Sequence, residues 1–173
     1  MAMYKSLFDL SPEQTASTAM PRTVVFSNGT GSGSMTICPL FLGAELYYND
    51  MHLAFFEEAT APARNVIEIN HCRVGRYECS FGENSCCYLA AGDFAVCAAA
   101  RKKSSSCFPL QHYHGITNLL DLDAISPEMR KQMEWYGVDL DVIRRYICTE
   151  NRCCILRSEP TIAHIFSELY TAH

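Results

Sequence analysis

A chain of 173 residues holds one full-sized domain with a sizeable core and is too short for two ordinary ones. Its 49% hydrophobic and 19% charged content excludes a disordered or nucleic-acid-coating segment. A net charge of −5 argues against direct DNA binding by this chain, because neutralising phosphates takes clustered Lys and Arg. The one basic run, Arg101-Lys102-Lys103, reads as a solvated loop beside a serine cluster. No stretch approaches the ~20 apolar residues of a membrane-spanning helix. The N-terminus reaches Asp9 and Pro12 without an apolar core, so no signal peptide is expected and a cytoplasmic location is. The ten cysteines then need a role other than stapling a small secreted fold. Cys38, Cys72, Cys79, Cys86, Cys87 and Cys97 sit in strand-like apolar runs and read as reduced core residues.

Residues 1–20 read as an N-terminal arm. After Val24-Val25-Phe26, the Ser/Gly/Asn/Thr run 27–34 has turn chemistry and reads as a mobile loop between two strands. Strands are predicted at 35–42, 44–49, 53–57, 65–72, 75–81, 86–89, 94–99 and 113–122. Gly82-Glu83-Asn84 marks a tight hairpin and Val74-Gly75 a turn bracketed by Arg73 and Arg76. Short strands with close turns and no helix between them predict an antiparallel barrel or sandwich over 21–123. The chemistry changes at 124. Ser126-Pro127-Glu128 is a helix start, with a capping Ser, Pro at the first position and an acid at the positive dipole end. That helix should stop at Gly137. A second fits 140–147, a strand fits 153–157, and a third helix starts near Pro160. It sets Ile162, Ile165, Phe166 and Leu169 in one apolar stripe. The stripe either packs on its own barrel or pairs two subunits.

Three segments carry a resemblance. Glu68-Ile-Asn-His-Cys-Arg-Val-Gly-Arg-Tyr-Glu-Cys79, Tyr88-Leu-Ala-Ala-Gly-Asp93 and Phe108-Pro-Leu-Gln-His-Tyr-His-Gly-Ile116 resemble, in this order, the N-terminal domain of AraC-type bacterial transcription regulators. The likeness is to a pyochelin-regulator-like, clostridial branch. Asn151-Arg-Cys-Cys-Ile-Leu-Arg157 and Ile165-Phe-Ser-Glu-Leu-Tyr170 extend it. The resemblance implies a cupin-like antiparallel β-barrel or jelly roll followed by about three helices, all one sensor domain (1–173). It also implies a small-molecule effector and a homodimer paired through Ile162, Ile165, Phe166 and Leu169, with 124–173 as the dimerising appendix. DNA would be reached only through a helix-turn-helix domain beyond residue 173, and no membrane is involved.

Cupin-like barrels also house metalloenzymes. A catalytic cupin sets His-x-His and a Glu before the Gly-Asp turn and a further His after it. Here the corresponding region, Glu58-Ala-Thr-Ala-Pro-Ala63, has no histidine. His112-x-His114 puts two rings on one side of a strand, but beyond the turn and without an acid before Asp121. No metal ligands, no cofactor and no enzymatic activity are therefore expected. A thiol-based redox or zinc sensor is the other alternative. Its vicinal pairs Cys86-Cys87 and Cys153-Cys154 point to opposite strand faces, and no Cys-x-x-Cys occurs. Cys79 would face Cys86 or Cys87 depending on register. The expected effector pocket is lined by Glu68, Asn70, Tyr77, His112 and His114, since consecutive polar groups on a barrel-facing strand need a partner. Arg73 and Arg76 are candidates for meeting an anionic effector.

Overall fold

The computed structural model describes residues 20–57, 65–81, 85–100 and 103–172. The expected N-terminal arm, the 58–63 segment, the Gly82-Glu83-Asn84 turn and Arg101-Lys102 lie outside the described residues, apart from Met20. Ten strands form antiparallel pairs: β1 (Arg22–Asn28), β2 (Gly31–Phe41), β3 (Ala44–His52), β4 (Phe55–Phe56), β5 (Val66–Phe81), β6 (Ser85–Ala90), β7 (Asp93–Ala98), β8 (Lys103–Cys107), β9 (Tyr113–Asp121) and β10 (Cys153–Arg157). One layer runs β1-β2-β3-β9-β5-β7-β10. The other joins β4 to β8, and β8 and β6 to the second half of β5. The architecture is the predicted cupin-like antiparallel barrel followed by helices.

β5 belongs to both layers. Its first half lies between β9 and β7, its second half between β6 and β8. The sequence predicts two strands here, divided at Val74-Gly75. Instead the register with β9 shifts between Cys72 and Val74, a β-bulge that bends the strand without reversing it. Gly75 makes the bend possible. Its φ is +88°, and a Cβ there would lie 1.9 Å from the carbonyl oxygen of His112. The predicted mobile loop at 27–34 is likewise a hairpin. Only Gly29 and Thr30 turn, and Asn28 Oδ1 accepts a hydrogen bond from the Thr30 amide at 2.8 Å. The following glycines and serines enter β2 because the core wants a small residue there. A Cβ on Gly33 would meet Leu53 and Met51 side-chain atoms at 2.9 Å. The serine cluster also departs from its predicted loop: Ser106 is buried in β8.

Between the layers lies a core of Met35, Ile37, Tyr47, Met51, Leu53, Cys72, Tyr77, Leu89, Phe108 and Tyr113, among others. A second core lies on the outer face of the long layer. There Ile67, Ala98 and Leu122 pack with Ile125, Leu140 and Ile147 of the C-terminal segment. Helix α1 (Pro127–Trp135) starts as predicted, with Ser126 Oγ accepting from the Met129 amide at 3.2 Å. Helix α2 (Leu140–Ile143) is capped by Asp139 and runs on into a π-helical stretch, Arg144–Thr149. Helix α3 (Pro160–Thr171) lies over the same outer face, where Phe166 stacks on His71 with ring centroids 4.0 Å apart. Tyr48 donates its hydroxyl hydrogen bond to the Leu169 carbonyl at 2.7 Å. Part of the predicted pairing stripe thus meets its own barrel, while Ile165 stays 55% exposed. One cysteine expectation is corrected. Cys97 and Cys153, directly opposed on β7 and β10, form a disulfide. Cys79 stands opposite Cys87 in the β5–β6 register. No helix among the described residues is long and apolar enough to cross a membrane.

Candidate metal centre

Alternation along two paired strands builds the site. On β3, Tyr47 and Met51 belong to the inner core. Their neighbours Tyr48, Asp50 and His52 therefore point to the outer face. On β9, Tyr113 belongs to the same inner core, so His112 and His114 point outward. The β3–β9 register sets Asp50 opposite His114 and Met51 opposite Tyr113. The apolar partners fix that register, and the polar residues between them meet as a consequence.

The result is a cluster of three imidazoles, His52, His112 and His114, with one ligand nitrogen from each lying within 4.8 Å of the others. The Nδ1 atoms of His52 and His112 are 3.5 Å apart. Two nitrogens bound to one metal at about 2.0–2.1 Å lie roughly 3.4 Å apart in tetrahedral geometry. That pair, a hydrogen-bond contact here, already has the required spacing, and the ring centroid of His114 lies 4.8 Å from that of His112.

Asp50 completes the group. Its Oδ1 lies 2.8 Å from His52 Nε2 and 3.2 Å from His114 Nε2. Those distances suit ion pairs, yet neither ring N–H is aimed at the oxygen, and it accepts no hydrogen bond among the described residues although it is shielded from solvent. The Asp50 side chain is otherwise 46% exposed, and either reoriented imidazole N–H donors or a cation would give this oxygen a partner. Burial lowers the pKa of His114, with Asp50 opposing and His112, His52 and Arg73 adding to the shift. A neutral imidazole is the form that binds a metal. Three imidazole nitrogens fit a divalent transition metal ion, with Asp50 beside them as a supporting carboxylate, and three protein ligands would leave coordination room for a substrate.

The five residues expected to line one pocket occupy three places. Glu68 and Asn70 face the barrel interior, 7% and 6% exposed. There Asn70 donates to Glu68 Oε1 at 2.7 Å and accepts from Thr117 Oγ1 at 2.6 Å, while Asn49 donates to Thr117 at 2.9 Å. Tyr47, also inward, donates to Glu45. Tyr77 lies further along β5 among Phe108 and Tyr113, its hydroxyl 3.2 Å from Ser106 Oγ. His112 and His114 are on the outer face, because Tyr113 takes the inward position between them. Sequence reasoning missed Asp50 and His52. Their signal was present as a second period-two pair, Asp50-x-His52, on the strand that faces His112-x-His114.

No family model and no curated protein matches this chain. Among solved structures it is similar to an oxalate decarboxylase variant from Bacillus subtilis, with 10% identity and a TM-score of 0.41 over 86% of this chain and 45% of that one. It is also similar to the Bacillus subtilis oxalate decarboxylase at pH 4.6 (11%, TM-score 0.35, 88% and 46%). A third is procruciferin, an 11S globulin from Brassica napus (10%, TM-score 0.33, 85% and 51%). The chain spans about half the length of these structures. The expectation that this chain is not an enzyme is corrected here. It carries, among the described residues, a histidine cluster with metal-ligand spacing.

Proposed function

We propose that this chain is a small cupin-type metalloenzyme whose centre is the His52–His112–His114 group on the outer face of the β3–β9 pair. The observation that carries the proposal is the convergence of two period-two pairs, Asp50-x-His52 and His112-x-His114, on one patch of sheet. A bound divalent ion would act there as a Lewis acid that polarises a substrate oxygen. The chain's own residues do the rest. Asp50, at ion-pair distance from both, would orient the rings of His52 and His114 once their N–H groups turn towards it, and Tyr113 and Met51 anchor the two strands from the inner side. Titrating Zn²⁺ into the metal-stripped chain should give one site per chain. His114→Ala should weaken it at least 100-fold without unfolding the barrel, since the ring is half exposed. Equal affinity in wild type and variant would overturn the assignment.

A second reading is favoured by the buried polar ladder of Asn49, Glu68, Asn70 and Thr117 inside the barrel. It is the ligand-sensing, dimerising half of an AraC-type regulator, responsive to a small-molecule effector held at Glu68 and Asn70. The homodimer would form through the exposed part of the α3 stripe. Its support is the resemblance of the quoted segments. Thermal stabilisation by an organic effector, lost in Asn70→Leu, would favour it; no effector response in a chain that binds metal would count against it.

A further inference from the structure

We infer that the metal centre takes a small oxyanion ligand, a carboxylate or phosphate group, with Arg73 as its anion-recognising residue. The inference rests on the metal-centre reading and adds the chemical class of what the centre binds.

Arg73 is the extra residue of the β5 bulge. The β5–β9 register pairs Cys72 with Gly115 and Val74 with His114, leaving Arg73 between them. Cys72 belongs to the inner core, so Arg73 is carried to the outer face beside His114. The same face thus presents Asp50, then His114, then Arg73 on three adjacent strands. The bulge thus sets Arg73 on the face that carries the histidine cluster, next to His114 in register.

The two arginines of this segment have different fates. Arg76 is held by Glu78, Nε to Oε1 at 2.5 Å. Arg73 makes no ion pair among the described residues. Its guanidinium carbon instead lies 4.6 Å from the ring centroid of Tyr170 on α3, which holds the side chain by its planar face and leaves the N–H fork available. Tyr170 is itself fixed, its hydroxyl 3.2 Å from His71 Nδ1. Charge points the same way. A divalent ion on three neutral imidazoles brings two positive charges, Asp50 offsets one, and Arg73 adds one. The patch is then net positive on a chain of net charge −5. An oxyanion bridging the ion and the guanidinium fork would satisfy both.

The test uses the full chain loaded with Co²⁺, whose visible spectrum reports its ligands. Acetate and inorganic phosphate are the probes, and acetamide is the neutral control. Wild type should show a saturable spectral shift with acetate or phosphate and none with acetamide; which anion binds more tightly separates a carboxylate from a phosphate ligand. Arg73→Gln should keep its Co²⁺ affinity within twofold and lose about tenfold in anion affinity. Arg73→Lys should recover part of that, because charge returns without the fork. Anion binding that is unchanged in Arg73→Gln, or equal for acetamide, overturns the inference and leaves the metal centre standing. Failure to bind Co²⁺ at all overturns both.

Discussion

His71 is buried where α3 meets the sheet, between Phe166 and Tyr170. Burial pushes its pKa down from 6.5 to about 4, with Asp93 partly opposing. The folded state therefore holds this imidazole neutral where the unfolded chain would protonate it. Below pH 6.5 the unfolded chain binds the extra proton, so stability falls as pH drops from 6.5 towards 4, and rises back over the same window on titration with base. The full effect corresponds to about 3 kcal/mol, from roughly 1.4 kcal/mol per unit. Denaturant midpoints measured between pH 7 and pH 4 should show this slope, and His71→Phe, which keeps the stack on Phe166, should flatten it. A slope unchanged by the substitution would remove His71 from the explanation. Phe166→Ala should cost about 2 kcal/mol through the lost ring packing, read from the same midpoints.

At the scale of elements, the β5 bulge has the largest consequences. Gly75 brings the strand against the His112 backbone, so Gly75→Ala places a methyl group where the carbonyl oxygen stands. The expected cost is about 3 kcal/mol, from forbidden backbone space and overpacking together. Because His112 must move, zinc affinity measured by calorimetry should fall with it, whereas Gly137→Ala, whose site is open, should leave it unchanged. The bulge also shows what could be read in advance. The capping Ser126, the strand at 153–157 and the helix from Pro160 follow from local chemistry, and the structure has them where the sequence predicts. Val74-Gly75 carries the same local signal as a turn. Only its pairing with β9 makes it a bend within one strand. The histidine cluster failed to be legible for a related reason. Each half lies on its own strand as a visible period-two pair, but their meeting depends on which strand neighbours which, and antiparallel topology of that range leaves no local trace.

For the whole molecule, the link between barrel and C-terminal segment is both apolar and covalent. The outer-face core ties Ile67, Ala98 and Leu122 to Leu140 and Ile147, and the Cys97–Cys153 disulfide closes a sequence separation of 56 residues. Constraining a loop of that length stabilises by up to about 4 kcal/mol in the chain-entropy model. Reduction should accordingly lower Tm by roughly 10 °C, and Cys153→Ser should reproduce the shift under non-reducing conditions. If Tm is insensitive to reductant, the barrel and its appendix are held by packing alone. Glu68 and Asn70 face the interior as their spacing on a barrel strand suggested, whereas the two histidines expected beside them sit on the opposite side of the sheet wall. One wall thus has two chemistries: a buried polar ladder inside and a histidine patch outside.

X-ray absorption at the zinc edge of the zinc-loaded chain bears most directly on the metal centre. The spectrum should show three imidazole nitrogens at about 2.0–2.1 Å with no sulfur neighbour. His112→Ala should reduce the imidazole count by one. Sulfur scatterers at about 2.3 Å, marking zinc held by cysteines, or a spectrum without imidazole, would contradict the His52–His112–His114 assignment.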